Sequence, residues 1–391
     1  MTDIPPCDIA IIGGGLSGGL IALALAARRP DLSVLLVESG DTLGGNHVWS
    51  FFDGDVDAAN RWLIEPMIAH KWLGGHDVRF PRHARTLGGG YNSITSARFD
   101  AHVRAVLGER AMTGVAVVRV EPTQAVLADG RVIRAKAIID ARGFASADDP
   151  ALAALKCGWQ KFVGQSLGLT APHGLTRPVI MDACVDQVDG YRFVYLLPLG
   201  EREIFVEDTY YSDDPALDVA AIRKRIAAYA AARGWPVEVV VHEETGVLPV
   251  VYGGDFARFW PADDMVTRAG VRAGLFHPMT GYSLRDAVHF AVALAGQELL
   301  DSDSLAQFAR IYAARHWRAG GYYRLLGKML FRAAAPQERY RIFARFYQLA
   351  EPLIARFYSG ETSAGDKIRI LCGRPPVPIR AAMRAVMKTN D

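Results

Sequence analysis

The chain has 391 residues, half of them apolar, and balances 44 Lys/Arg against 42 Asp/Glu for a formal net charge of +2. A chain of this size buries one large core or two. Its four cysteines, Cys7, Cys157, Cys184 and Cys372, are far apart and read as reduced thiols; their spacing excludes a zinc module, so no metal is expected, and no apolar stretch reaches the ~18 to 20 uncharged residues of a spanning helix.

Met1 to Pro6 holds no basic residue and two prolines, unlike a secretory leader, so a cytoplasmic location is expected. Asp8 to Ile12 then reads as a strand running through Gly13-Gly14-Gly15-Leu16-Ser17-Gly18 into an Ala/Leu-rich helix. Strand, glycine turn and helix in this order cradle a pyrophosphate. Gly13 permits the sharp turn, Gly15 lets backbone N–H groups approach the phosphates, and Gly18 with Ala22 lets the helix lie close to the sheet. Gly13, Gly15, Leu16, Ser17 and Gly18 are therefore candidate cofactor residues. A second strand, Ser33 to Val37, ends at Glu38, twenty residues beyond Gly18, where a carboxylate bonds ribose hydroxyls and disfavours a 2′-phosphate. Gly45, Asn46 and His47 follow as further candidates, with Trp49 and Phe51 divided between cofactor contact and core packing.

Ser96 to Leu107 reads as a connecting helix, and Ala116 to Val120 and Arg131 to Ile139 as strands, the latter running into Asp140-Ala141-Arg142-Gly143. So late a return to the nucleotide sheet, followed by a long insertion, fits a flavoprotein better than a simple dehydrogenase. It adds Asp140, Arg142 and Gly143 to the cofactor set.

Gln160 to Leu169, Pro178 to Val185, Tyr191 to Leu197 and Glu203 to Tyr211 read as antiparallel strands of a substrate domain. Glu207 and Asp208 lie near the end of the last. Alternation puts them on opposite faces, so only one enters a given pocket, where apolar neighbours would raise its pKa into the range of proton exchange. A solvated strand end is the ordinary alternative. Leu217 to Arg233 is a helix stopped by Gly234 and Pro236, Glu238 to Val251 returns as strand, and Leu284 to Leu300 is a long helix with Ser283 at its N-cap. Before it, His277-Pro278-Met279-Thr280-Gly281-Tyr282 joins a rigid Pro and a permissive Gly to a helix N-terminus, an anion site suited to a reduced flavin. His277, Pro278, Thr280, Gly281 and Tyr282 are candidates there, with His277 in a positioning role.

From residue 310 onward the chain carries 16 Lys/Arg against 5 Asp/Glu. Arg324, Lys328 and Arg332 recur every four residues on a helix rich in Leu, Tyr and Phe, and Tyr340 to Tyr358 repeats the combination. An apolar face bordered by cations suits an anionic membrane surface or ordinary packing against the body of the protein. No nucleic-acid module accompanies the charge.

With these residues assembled, the chain resembles the bacterial lycopene β-cyclases, flavoproteins of carotenoid biosynthesis. The resemblance rests on the glycine turn, Gly44-Gly45-Asn46-His47 with Trp49-Ser50-Phe51, Tyr91-Asn92-Ser93-Ile94, Gln160-Lys161-Phe162-Val163-Gly164, Met181-Asp182, Glu207-Asp208-Thr209-Tyr210 and Arg272-Ala273-Gly274-Leu275-Phe276-His277-Pro278. It continues through Met329-Leu330-Phe331-Arg332, Glu351-Pro352-Leu353-Ile354 and Arg369 to Pro376. It implies an α/β fold: a Rossmann-type FAD-binding domain of the flavin-hydroxylase kind, with an inserted antiparallel substrate sheet and C-terminal helices. The FAD-binding domain would comprise 1–80, 96–156 and 261–300, the substrate domain 81–95 and 157–260, and a basic helical region 301–391. It further implies redox-neutral conversion of lycopene through γ-carotene to β-carotene at a membrane, FAD active when reduced, NADPH as reductant, and Glu207 as acid/base, with Asp208 shaping its surroundings. The hydroxylases' late Gly-Asp motif is replaced by Arg272-Ala273-Gly274, which weakens the case for oxygen chemistry. A flavin-dependent monooxygenase acting on an apolar isoprenoid is the competing reading.

Overall fold

Ile9, Ala10, Ile11 and Ile12 are all fully buried, as a parallel strand covered on both faces requires. In the computed structural model, which describes residues 4–372, the strand Cys7–Ile12 runs parallel to Val34–Val37 on one side and to Val132–Asp140 on the other. Ala111–Met112 and Thr267–Arg268 extend this sheet in parallel at either flank. The first half of Val132–Asp140 bends away to pair with an antiparallel hairpin, Val117–Val120 and Gln124–Leu127. Helix Leu16–Arg28 packs against Leu284–Ala295 and Ser96–Leu107, burying one of the main apolar cores.

A second sheet of seven strands has the order Val237–Gly254, Leu155–Leu169, Glu203–Ser212, Tyr191–Pro198, Val179–Asp182, His76–Phe80, His83–Leu87, antiparallel except where Val179–Asp182 meets His76–Phe80. Helix Val219–Ala232 covers one face through Ile222, Ile226 and Ala230. Helices Gly321–Ala333 and Glu351–Tyr358 join a second apolar cluster with residues of the other. A three-stranded sheet, Val48–Phe52, Tyr91–Thr95 and Ile68–Trp72, is interleaved with them in sequence.

Several expectations need correction. The boundary at residue 80 cuts a hairpin, because His76–Phe80 pairs with His83–Leu87 and belongs to the second sheet, whereas Tyr91–Thr95 belongs to the small one. The helix expected to reach Leu300 ends at Ala295, before Gly296, and Ser283 occupies its N-cap without a side-chain hydrogen bond. Tyr340 to Tyr358 is two helices, Tyr340–Phe346 and Glu351–Tyr358, the second with Pro352 in its first turn. Pro cannot donate within a continuous helix. Phe343, Tyr347, Leu353, Ile354 and Phe357 are buried, so ordinary packing accounts for that apolar face. Arg324 stacks 3.9 Å from the Trp317 ring and Arg332 donates to the Tyr252 hydroxyl. The stretch from Gly373, including the end of the family motif and of the basic region, lies outside the described residues.

Candidate active site

The glycine turn is built by steric necessity. Gly13 has φ +105°, and a Cβ there would stand 2.7 Å from the Ala141 carbonyl carbon; at Gly18 it would stand 1.9 Å from the Gly13 oxygen. A Cβ on Gly15 would meet nothing within 4 Å. Gly15 therefore borders open space while its neighbours are locked by the strand and helix. That space is a cavity of about 780 Å³ walled by both large sheets, reaching from Gly13, Gly15, Leu16, Ser17 and Glu38 past Gly45, His47, Arg142 and Gly143 to Gln160, Glu207 and Glu244. Glu38 Oε2 accepts from Gly14 N at 2.7 Å and Oε1 from Gly40 N at 2.8 Å, which holds the carboxylate at the end of the turn.

Three expected cofactor residues sit off the cavity wall. Gly18 makes the helix contact just described. Asn46 donates its amide to the Glu243 carbonyl and so ties the glycine loop to the second sheet. Asp140 is engaged by Arg142, at 2.9 Å from both Nε and Nη2, and by Arg272 at 3.6 Å. Arg272 also donates to the carbonyls of Arg142 and Gly143, so in place of the hydroxylases' Gly-Asp pair it clamps this loop, leaving Gly270 and Val271 on the wall.

His277, Pro278, Thr280, Gly281 and Tyr282 all line the cavity. His277 Nδ1 accepts from the backbone N–H groups of Met279 at 3.3 Å and Thr280 at 3.2 Å, which places the ring proton on Nε2, donated to the Phe357 carbonyl at 3.1 Å. Burial pushes its pKa down to about 3, so the ring is neutral and acts as a splint joining the loop to helix Glu351–Tyr358. Gly281, at φ +72°, closes the turn by donating to the His277 carbonyl.

Glu207 and Asp208 have opposite environments. Asp208, 1% exposed, faces away from the cavity, where Arg192 grips it through Nε at 2.8 Å and Nη2 at 2.9 Å and Tyr210 donates at 3.0 Å. It is a structural ion pair and touches nothing in the cavity. Glu207 is on the wall with Phe205, accepts from the Thr209 hydroxyl at 2.6 Å, and is pushed well above the usual carboxylate range by burial and by the neighbouring Glu244 carboxylate. Tyr195 stands directly across from it on the next strand, its hydroxyl 2.9 Å from that of Tyr282. With Tyr91 and Tyr358 these phenols form an aromatic lining, and burial keeps them well above the usual tyrosine range, hence neutral.

Sequence reasoning placed Tyr282 at the site but gave no role to Glu244, Gln160, Tyr91, Tyr195 or Tyr358. Glu244 reaches the cavity from a strand 37 positions beyond Glu207, and the only trace of it in the sequence was Gly164, one of three glycines in its strand, each a place where neighbours can approach.

A family profile described as lycopene cyclase protein matches residues 8–384. A lycopene beta-cyclase from Pseudescherichia vulneris is 45% identical over 380 residues, 97% of this chain and 97% of its own, and one from Pantoea ananas is 43% identical over 387 residues, 99% of each. Among solved structures, a geranylgeranyl bacteriochlorophyll reductase-like protein from Thermoplasma acidophilum superposes with a TM-score of 0.64 at 14% identity, over 98% of this chain and 99% of that one. The flavin-dependent brominase Bmp2 gives 0.59 at 15% identity over 91% and 94%. The architecture is the one shared by such flavin-dependent enzymes.

Proposed function

The chain belongs to the lycopene cyclase family, and on that footing we propose that it closes the acyclic ends of lycopene into β-rings, through γ-carotene to β-carotene, with Glu207 as the acid. Supporting this reading above all is a carboxyl that keeps its proton near neutrality inside an aromatic-lined cavity.

FAD is the cofactor of this reading, and the chain's own groups fit it. Gly15 opens onto the cavity, the Ser17 hydroxyl and the Gln160 amide oxygen are buried on its wall without hydrogen-bond partners, and Glu38 lines it at the end of the glycine turn, where its carboxylate could accept from ribose hydroxyls. Gly13, Gly15, Ser17 and Glu38 would hold the nucleotide end, and the 277–282 loop the ring end. When bound and reduced by NADPH, FAD would supply negative charge to oppose a developing cation.

The remaining chemistry falls to side chains. Glu207 protonates C2 of a terminal alkene, the C5=C6 alkene attacks the C1 cation, and loss of the C6 proton leaves the ring double bond, so atoms and electrons balance without an oxidant. Tyr91, Tyr195, Tyr282 and Tyr358 keep water from the cation, and their ring faces add about 0.5 to 2 kcal/mol each. Replacing Glu207 by Gln should lower ring closure by about 10²- to 10⁴-fold while bound FAD, read from its visible spectrum, is unchanged; wild-type turnover by that variant would refute the assignment.

A C40 hydrocarbon must be collected from a membrane. Among the described residues no helix is long and apolar enough to cross one. The proposed docking patch, on the cytoplasmic face, is helix Ala364–Leu371, where Ile368 is 63% and Leu371 45% exposed beside Lys367 and Arg369.

A further inference from the structure

Glu207 and Glu244 are held by different strands, yet each is the direct cross-strand partner of the same residue, Gly164. Residues directly opposite in antiparallel pairs share a face, so both carboxyls project to the cavity side with a glycine between them. The strands they occupy are about 9.5 Å apart, twice the usual spacing, and two glutamates leaning inward can meet across that gap because the residue between them carries no side chain. A Cβ at Gly164 would stand 3.2 Å from Glu244 Cγ and 2.3 Å from the Phe205 ring.

The two carboxyls are not equivalent. Glu244, 3% exposed, accepts from the Val48 backbone N–H at 2.9 Å and lies 3.5 Å from His47 Nδ1, so two polar partners anchor it in place. Glu207 has the Thr209 hydroxyl and the neutral phenol of Tyr195.

Resting on the reading of Glu207 as the acid, we infer that Glu244 is a positioning residue for ring closure: the two carboxyls share one proton, and the charge anchored on Glu244 keeps that proton on Glu207. Like charges this close disfavour double ionisation. When Glu207 has given its proton to C2, both carboxyls are ionised, and their repulsion favours return of the C6 proton to the pair. One bond to hydrogen forms and one breaks at each step, so the pair ends turnover as it began. Of the groups facing the pair, Asp208 is turned to the other side of the sheet by Arg192, Glu243 is occupied by Arg223 and Gln165, and Tyr91, Tyr195 and Tyr282 stay neutral. His47, beside Glu244, and Asp55, on the same cavity wall, are further titratable groups.

The test is an infrared titration of the carboxylic-acid carbonyl band in the full-length protein, with Glu207→Gln identifying the Glu207 signal and His47→Gln separating the imidazole. In Glu244→Gln the Glu207 midpoint should fall by more than about one pH unit, because the charge that opposed ionisation is gone, and the alkaline limb of kcat should move down with it while KM holds. Glu244→Asp, which keeps the charge but retracts it by one methylene, should give a smaller fall and serves alone if the Gln variant does not fold. An unchanged midpoint in whichever variant folds overturns the inference. If Glu207→Gln still closes rings, the acid assignment fails, but the infrared midpoints still decide whether the carboxyls share a proton.

Discussion

The two large sheets build their shares of the cavity by opposite means. At the Cys7–Ile12 strand the wall is backbone, shaped by glycines that leave space, and its parts are neighbours in sequence. At the Glu203–Ser212 strand the wall is side chains gathered across four strands, and residues adjacent in sequence have unrelated surroundings: Glu207 faces the cavity and Asp208 an arginine on the far side. Backbone sites are written locally, and side-chain sites are written in strand register.

The largest effect should come from the carboxylate beside Glu207 that is turned away from the cavity. Asp208→Asn leaves Arg192 buried without a counter-charge and should cost about 3–5 kcal/mol of stability, read as a fall in Tm or denaturant midpoint. Flavin-loaded, folded protein should retain its pH profile; a profile displaced as in a Glu244 variant would erase the contrast between the two faces. Gly15→Val comes next and sharpens the other side. Its backbone φ of −67° suits any residue and its Cβ meets open space, so the apoprotein should keep its stability within about 0.5 kcal/mol while flavin affinity, by fluorescence titration, drops at least about tenfold. A destabilised protein with normal affinity would contradict the proposed cradle. The smallest effect is at the periphery: charge reversal of Lys367 and Arg369 should weaken sedimentation with anionic liposomes by about 1 kcal/mol per residue, and an unchanged bound fraction would remove that patch.

The same contrast explains what was legible in the sequence. Gly13 to Gly18, Glu38 and the loop from His277 to Tyr282 were readable because each is one continuous segment whose residue types dictate a conformation. The four strands from Gln160 to Tyr211 were readable from alternation, and alternation also separated Glu207 from Asp208. Alternation alone did not choose between them; the family resemblance pointed to Glu207, and the second sheet's neighbours give the physical reason. Glu244 was invisible for the same reason, since its distance from Glu207 is set by pairing through Gly164 and not by spacing along the chain. The small strands Val48–Phe52, Ile68–Trp72 and Tyr91–Thr95 escaped because each is only five residues long, too short for alternation to stand out, although their Val, Ile, Trp, Phe and Tyr residues suit a strand. Asn46 and Asp140 were chosen for plausible chemistry, and tertiary partners took them instead.

Ring closure by a proton held on Glu207 is most directly tested with isotope. Protein carrying reduced FAD, equilibrated in D₂O and given lycopene without oxygen for a single turnover, should yield a product with one deuterium at C2 of the new ring, and Glu207→Gln should yield none. Rings formed without deuterium at C2, or only when oxygen is admitted, would contradict the account.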